Sequence, residues 1–194
     1  MRHTLRIAAA AALVATLVAS ACSGSSPSGP SAGTSTLNLR LTDSPFTDAK
    51  AVLVTFAEVR AHRSEGDWTT VPFAGAATTR TCDLKKLETA EDILGSGPMP
   101  AGRYTMVRLV VTSATLYFEN PSTSTACAAS IPVPAGTSAT VDIPSGEVKL
   151  NRGFELSAEA PTTILLDFDG DRSIHLTGNG RYTMSPVVGI VSVN

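Results

Sequence analysis

Residues 100–116 limit what this chain can fold into more than any other part of the sequence. The segment opens with a proline and Gly102, which interrupt regular structure, and continues with β-branched and other apolar side chains at 107–111. This composition predicts a long, mostly buried strand near the centre of a sheet. Tyr104 follows two residues after the glycine, where β-sandwiches often place a ring that packs inward while its hydroxyl binds the preceding turn.

Strand patterns also run through the rest of the chain after residue 36. Leucines alternate with polar residues over 37–41 and predict a half-buried strand. This strand is expected to end at Asp43, whose side chain can cap a turn. Residues 51–63 and 68–73 flank turn residues and predict a hairpin, because β-branched and aromatic side chains suit a pleated sheet.

Two further patterns complete the expected fold. Residues 178–180 (Gly-Asn-Gly) predict a tight turn between strands at 173–177 and 181–193. Residues 84–94 have helical spacing and predict a short helix. About ten to twelve short strands and at most one short helix indicate an all-β fold, namely an antiparallel Greek-key β-sandwich over residues 37–194.

The first 21 residues have the composition of an export signal. Arg2 and Arg6 precede an apolar run over residues 7–21. About fifteen residues of helix span about 22 Å, which is less than the roughly 30 Å hydrocarbon core of a bilayer. We therefore expect residues 1–21 to be a signal peptide and not a membrane-spanning helix.

A cysteine follows this run immediately. Residues 18–22 (Val-Ala-Ser-Ala-Cys) resemble the lipobox of bacterial lipoproteins, with Ala19 where that family usually has leucine. The resemblance implies that Cys22 carries lipid and becomes the first residue of the mature protein. Ser23, where a retention signal would have aspartate, implies the outer membrane under the sorting habit of that family. The alternative is an ordinary secretory cleavage site that happens to precede a cysteine.

Residues 22–36 connect the predicted lipid site to the predicted domain. They are rich in Ser, Gly and Pro and contain no large apolar side chain. Such a composition predicts a flexible tether, because it offers too little apolar surface to offset the entropy of ordering.

The charge of the mature chain argues against a nucleic-acid partner. Removing the two Arg of the signal peptide leaves 13 of 15 Lys and Arg, against 17 Asp and Glu. Nucleic-acid binding requires clustered basic side chains that neutralise phosphates. The sequence has one basic doublet, Lys85-Lys86.

Cys82 and Cys127 remain as a pair once Cys22 is assigned to lipid. Exported proteins mature in oxidising compartments, so we expect a disulfide between them. A metal site is the alternative, but neither residue has a second Cys or a His at the short spacing of zinc sites.

Residues 166–171 (Leu-Asp-Phe-Asp-Gly-Asp) form the densest run of carboxylates in the chain. Strand alternation places Asp167 and Asp169 on the face opposite the apolar residues, and Asp171 joins them if the strand persists. Three converging carboxylates predict a candidate calcium site, completed by Asp43 or by backbone carbonyls. The alternative is a solvated strand face that ends in an Asp-Gly turn.

Several short motifs occur in order along the chain. They are residues 41–45 (Leu-Thr-Asp-Ser-Pro), 51–56, 100–109, 148–150, 166–174 and 178–187. Together they resemble the bacterial domain-of-unknown-function family 4382, over roughly residues 37–193. The resemblance implies an exported or lipid-anchored envelope protein without an assigned activity. The turn at 100–104 is also similar to that of transthyretin-like sandwiches, so a transthyretin-like or immunoglobulin-like arrangement is expected.

The sequence offers few groups for catalysis. The mature chain has two histidines, His62 and His175, each within a predicted strand, and the motifs of common hydrolases, metalloproteases and phosphate-binding loops are absent. Trp68 has two interpretations, which are a platform for a sugar ring and a core or sheet-face aromatic.

We therefore expect a monomeric, lipid-anchored protein of the cell envelope. Its sandwich is expected to be a non-catalytic binding or adhesion module, with a glycan or another envelope protein as partner and calcium as the one candidate cofactor. The alternative is a structural subunit that assembles with other chains by sharing strands.

Overall fold

The computed structural model of the chain describes residues 33–44 and 46–194. The predicted signal peptide, Cys22 and residues 23–32 of the predicted tether lie outside the described residues. The described elements are β1 (Thr34–Ser44), β2 (Ala51–Arg63), β3 (Trp68–Thr70), β4 (Arg80–Asp83), α1 (Leu84–Leu87), β5 (Asp92–Pro100), β6 (Gly102–Tyr117), β7 (Cys127–Ala128), β8 (Ser138–Asp142), β9 (Glu147–Leu150), β10 (Phe154–Leu156), β11 (Thr162–Asp169), α2 (Gly170–Ser173), β12 (Ile174–Leu176), β13 (Tyr182–Met184) and β14 (Val188–Val193).

These strands form two sheets, and the predicted all-β sandwich is confirmed. The smaller sheet has the order β14-β11-β1-β5. The larger sheet has the order β12-β13-β8-β6-β2-β4-β7, with β3 paired to β2 and with β9 and β10 paired to β6. The two sheets share one apolar core, in which Phe56 of β2 meets Phe168 of β11 with ring centroids 6.3 Å apart. The Greek-key connection pattern stays a prediction.

β6 is the central strand of the larger sheet, as the sequence predicts. It pairs antiparallel with β2 over almost its full length, and its other edge pairs in turn with β10, β9 and β8. Tyr104 is fully buried, stacks on Phe154 at 5.2 Å between ring centroids, and donates its hydroxyl to the carbonyl of Pro100 at 2.8 Å. The predicted role of this tyrosine is confirmed.

Strand direction departs from the antiparallel prediction in two places. β1 pairs parallel with β11, from Leu37 opposite Thr162 to Ser44 opposite Asp169, and β13 pairs parallel with β8. Side-chain alternation has the same period in parallel and antiparallel strands, so it carries no information about direction. Both sheets are therefore mixed.

β1 begins three residues before the predicted start of the domain. Residues 34–36 pair with residues 98–100 of β5. Ser35 is buried and donates its hydroxyl to the carbonyl of Ala160 at 2.9 Å. The last three residues of the predicted tether thus belong to the sheet, because their backbone groups extend the pairing of β1.

The helix predicted over residues 84–94 is present only at its start. α1 ends at Leu87, and residues 92–100 pair with β1 as β5. Asp83 caps α1 by accepting a hydrogen bond from the backbone nitrogen of Lys85 at 3.2 Å. α2 is a second short helix, one more than the sequence predicts, and residues 74–76 form a 3₁₀ turn.

The last predicted strand, 181–193, is divided between the two sheets. β13 pairs with β12 across the predicted turn at 178–180, whereas β14 pairs with β11. Ser173 holds the crossing segment: its carbonyl accepts from the nitrogen of Ser185 at 2.9 Å, and its hydroxyl accepts from the nitrogen of Val187 at 2.8 Å. Pro186 lies between these two donors, so its missing N–H costs no hydrogen bond of the ladder.

Cys82 and Cys127 form the predicted disulfide, with Cα atoms 4.1 Å apart. They lie opposite each other in the antiparallel pair of β4 and β7, and both are buried. Beside them the guanidinium of Arg80 donates to the carbonyl of Cys127 at 3.1 Å and lies 3.8 Å from the carboxylate of Asp92. The bond therefore holds the long connection between β6 and β8 against the edge of the larger sheet.

Replacing both Cys82 and Cys127 with alanine should destabilise the domain without changing its fold. The bond closes a loop with a sequence separation of 45. In the chain-entropy model such a loop is worth about 4 kcal/mol of unfolding free energy. Urea unfolding of the variant measures the loss, and reduced wild type is the control that should lose a similar amount. Two reactive thiols in oxidised, unfolded wild type would contradict the bond.

Candidate functional site

The carboxyl ends of β1 and β11 meet at one edge of the smaller sheet because the two strands run parallel. Asp43 lies opposite Phe168, and Ser44 lies opposite Asp169. Ser44 also donates its hydroxyl to the carboxylate of Asp167 at 3.0 Å. Around these strand ends is a group referred to below as the carboxylate corner: Asp43, Ser44, Lys85, Glu88, Asp167 and Asp169.

Asp43 is the most buried acid of the corner, with 5% of its surface exposed. Its Oδ1 accepts from the backbone nitrogen of Gly170 at 3.1 Å, whereas Oδ2 has no hydrogen-bond partner among the described residues. Burial raises the pKa of Asp43 to about 8; the carboxylates of Glu88 and Asp167 add to the rise, and the Gly170 bond and Lys85 oppose it. The side chain is therefore mostly protonated at neutral pH.

Lys85 provides the positive charge of the corner. Its Nζ donates to the carbonyl of Phe46 at 2.6 Å and forms an ion pair with Glu88. The backbone nitrogen of Phe46 in turn donates to Oε1 of Glu88 at 3.3 Å. These contacts fix the chain that follows β1 to the end of α1, so the corner has a structural role in joining the two sheets.

The predicted calcium site does not form as three converging carboxylates. β11 ends at Asp169, whose side chain caps α2 by accepting from the backbone nitrogen of Arg172 at 2.9 Å. Asp171 consequently lies in α2 and is exposed, while Asp167 is bonded to Ser44. No group of three Asp, Glu, His or Cys side chains in the described part of the chain is placed to hold a metal ion.

One pattern in the sequence could have revealed the burial of Asp43. Residues 37, 39, 41 and 43 have the same parity, so a continuous strand places the aspartate on the face of the three buried leucines. The sequence prediction ended the strand at Asp43 and assigned it a capping turn. The structure continues β1 to Ser44, and the carboxyl group points inward.

The two histidines lie in distant parts of the larger sheet. His62 in β2 and His175 in β12 are four strand positions apart, roughly 19 Å at the usual strand spacing. The ring of His62 packs against Trp68 at 4.8 Å between centroids, and the guanidinium of Arg108 lies 4.9 Å from the centroid of the tryptophan ring. Trp68 is thus half-buried, with its ring in contact with His62 and Arg108.

A groove of about 730 Å³ lies between β8 and the hairpin of β12 and β13. Its walls are residues 139–142 and, from the hairpin, residues 177 and 179–183. β13 pairs with β8 only through Tyr182 and Thr183. The two strands diverge before these residues, which opens the space beside β8. The volume is within the roughly 300–1,000 Å³ of small-ligand sites.

The groove walls combine polar side chains with at least as much apolar surface. The side chains of Thr140, Asp142, Arg181, Tyr182 and Thr183 line the groove and form no hydrogen bond or ion pair within the described residues, whereas those of Thr177 and Asn179, which also line it, are hydrogen-bonded within the hairpin.

Charged side chains on the outer face of the larger sheet form ion pairs with one another, unlike those of the groove. Glu58 pairs with Arg60 and with Arg108 at 2.7 Å, and Glu147 pairs with Lys149 at 2.8 Å. The groove therefore differs from that face in having unpaired polar groups around a concave space, which the sequence did not predict.

These features define a β-sandwich domain with a buried acidic corner and a polar surface groove. The family model described as "Domain of unknown function (DUF4382)" matches residues 34–186, and the chain belongs to this family, as the sequence motifs predict. The matched range begins at the first residue of β1 and includes the corner and the groove. The chain matches no curated protein and no solved structure. Within residues 33–44 and 46–194, the helices are too short to cross a membrane.

The buried carboxyl group predicts a specific pH dependence for the Asp43→Asn variant. Between about pH 4 and pH 8, wild-type Asp43 is protonated when folded and ionised when unfolded, so wild type loses stability as pH rises. The variant has no carboxyl group at position 43, so its stability lacks this pH dependence. Its stability relative to wild type should therefore rise with pH across this window, by up to about 1.4 kcal/mol per pH unit.

Urea unfolding at pH 5, 6, 7 and 8 measures this difference. Asp171→Asn is the matched control, because it removes an exposed carboxylate of the neighbouring motif. A relative stability of Asp43→Asn that stays constant from pH 5 to pH 8 would show that Asp43 is ionised in the folded protein.

Proposed function

We propose that the chain is a lipid-anchored protein of the cell envelope whose sandwich is a non-catalytic binding module, with the groove between β8 and the β12–β13 hairpin as its binding site. The observation that carries the proposal is the groove itself, in which unpaired polar side chains surround a space of small-ligand size.

The sequence before the domain supports the anchor. Cys22 ends a lipobox-like segment, and the sheet begins only at Thr34. The eleven residues between Cys22 and Thr34 reach about 40 Å when fully extended, which is long enough for a tether between a lipid anchor and the domain. Ser23 after the cysteine supports the outer membrane as the location.

The chemistry of the groove supports binding over turnover. Its titratable side chains are a carboxylate and a guanidinium, Asp142 and Arg181, together with the phenol of Tyr182. The groove walls contain neither His nor Cys, which are the usual general base and the most reactive nucleophile of enzymes.

The β14 edge of the smaller sheet supports a monomer over an assembly subunit. β14 is one of the two edge strands of this sheet, β5 being the other, and it has a bulge at Val191, where the register against β11 shifts. Arg152 donates from its guanidinium to the carbonyl of Ile190 at 2.9 Å. Bulges and covering side chains are devices that prevent edge strands from pairing with other chains.

The anchor is tested by replacing the cysteine. Cys22→Ala should move the protein from the detergent-dependent membrane fraction to the soluble fraction, because two or three acyl chains are needed for stable attachment. Fractionation with immunoblotting measures the change, and Cys82→Ala with Cys127→Ala is the control that keeps the lipid site. Unchanged membrane association of Cys22→Ala would exclude lipid anchoring.

The groove is tested with a matched pair of double variants on the soluble Cys22→Ala chain. Asp142→Ala with Arg181→Ala removes one acid and one base from the groove, and Glu147→Ala with Lys149→Ala removes one of each from the outer face. The groove variant should bind isolated envelope fragments at least about 10-fold more weakly, since hydrogen bonds to charged groups contribute about 1.5–3 kcal/mol each.

Co-sedimentation with the envelope fragments measures this binding, and thermal melting verifies that both variants are folded. Equal binding by the two double variants would exclude the groove as the site. Release of a chemically altered fragment component by wild type, but not by the groove variant, would replace the binding module with an enzyme.

A further inference from the structure

We infer that the groove binds an uncharged, hydroxyl-rich ligand, which means a neutral saccharide chain. This inference rests on the proposed function and names the ligand class of the same site. It depends on the unpaired groups of the groove walls, on their net charge and on the position of one aromatic ring.

The hydrogen-bonding capacity of the groove is both donating and accepting. Arg181 only donates, and Asp142 accepts when ionised, whereas the hydroxyls of Thr140, Tyr182 and Thr183 do both. A sugar hydroxyl is likewise a donor and an acceptor, so adjacent hydroxyls of one ring can satisfy groups of both kinds. Each unpaired group that is covered without a partner costs about 1–3 kcal/mol, so a ligand without such hydroxyls is disfavoured.

The backbone of β8 adds to this capacity. Residues 138–140 pair with β6 on one side, whereas the pairing to β13 on the other side begins only at Val141. Of these residues, 139 and 140 line the groove, so their peptide groups on that side are open to a ligand. A strand edge of three residues is short for adding a peptide strand, because strands are usually about five to six residues long.

The charge of the groove excludes strongly ionic ligands. Asp142 and Arg181 contribute one charge of each sign. Phosphates, polyuronates and nucleic acids require several basic groups together, and a single Arg beside an Asp does not provide them. Acyl chains are disfavoured as well, because they would cover the charged side chains of Asp142 and Arg181 without giving them partners.

Tyr182 provides an apolar surface in a fixed position. Its ring packs against Phe118 at 5.9 Å between centroids and is half-buried, and its strand neighbour Val141 is buried. A tyrosine combines an apolar ring with a polar tip. A sugar ring has the matching character, with C–H groups on its faces and hydroxyls at its rim.

The turn that forms one wall is held by its own hydrogen bonds. The hydroxyl and the backbone nitrogen of Thr177 both donate to the carbonyl of Arg181 at 2.7 Å, and the nitrogen of Gly180 donates to the carbonyl of Thr177 at 2.9 Å. A wall that is already ordered reduces the entropy lost on binding.

The test uses the folded Cys22→Ala chain and five probes of defined chemistry. Three are neutral tetrasaccharides built from glucose, mannose and N-acetylglucosamine; the others are tetragalacturonate and an uncharged six-residue peptide. Calorimetry measures affinity, and shifts of the backbone amide signals of residues 138–142 and 177–183 locate the binding. We expect at least one neutral tetrasaccharide to bind and to shift these amides.

Single hydroxyl and charge deletions then test the contacts. Thr140→Val, Tyr182→Phe and Asp142→Asn keep the side-chain shape and should each weaken this binding about 3- to 30-fold. Thr70→Val removes an exposed hydroxyl of β3 outside the groove and should leave the affinity unchanged.

Two results would overturn the inference, and they differ in what they mean for the proposed function. Binding at these amides by tetragalacturonate or the peptide alone would replace the ligand class and leave the binding module in place. Absence of binding by every probe would also overturn the inference that the ligand is a neutral saccharide. If binding to envelope fragments is then insensitive to Asp142→Ala with Arg181→Ala, the proposed function fails as well.

Discussion

The parallel pairing of β1 with β11 is the constraint on which the other features of the domain depend. It places Asp43 beside Gly170, which lies 127 residues away in the chain. Because the two strands run in the same direction, both end at one edge of the smaller sheet. An antiparallel pair would have placed Asp43 and Asp169 at opposite ends. The carboxylate corner, its attachment to α1 and the start of the hairpin that borders the groove all follow from this direction.

Two buried aspartates, Asp83 in β4 and Asp43 in β1, differ in how many hydrogen bonds their carboxyl groups accept. Asp83 is fully buried and accepts from the nitrogens of Val52 and Lys85 at 3.0 and 3.2 Å and from the hydroxyl of Ser122 at 2.6 Å. Asp43 accepts a single bond, from Gly170. Hydrogen bonds offset the cost of burying a polar group. Asp83 therefore joins β2, α1 and the β6–β8 connection through three hydrogen bonds, whereas burial with a single bond raises the pKa of Asp43.

Much of the fold could be predicted from local signals, whereas the site could not. Gly102 with Tyr104, the Gly-Asn-Gly turn and the β-branched run at 107–111 each act within a few residues, and their structures match the predictions. The cysteine pair was predictable because only two candidates remained. Strand direction, the division of 181–193 between two sheets and the groove depend on contacts between distant segments. No local period encodes those contacts, and the inward side chain of Asp43 is the exception that parity alone would have indicated.

The position of β1 has a mechanical consequence. The chain enters the domain at Gly33, and the strand that follows lies between two neighbours and pairs with each over eight positions. A pulling force applied to the chain before Gly33 and directed along β1 loads the hydrogen bonds on both sides in shear. An edge strand, by contrast, peels away one bond at a time. Forced unfolding is controlled by the height of the rupture barrier, so a domain entered through an interior strand resists tension at that end.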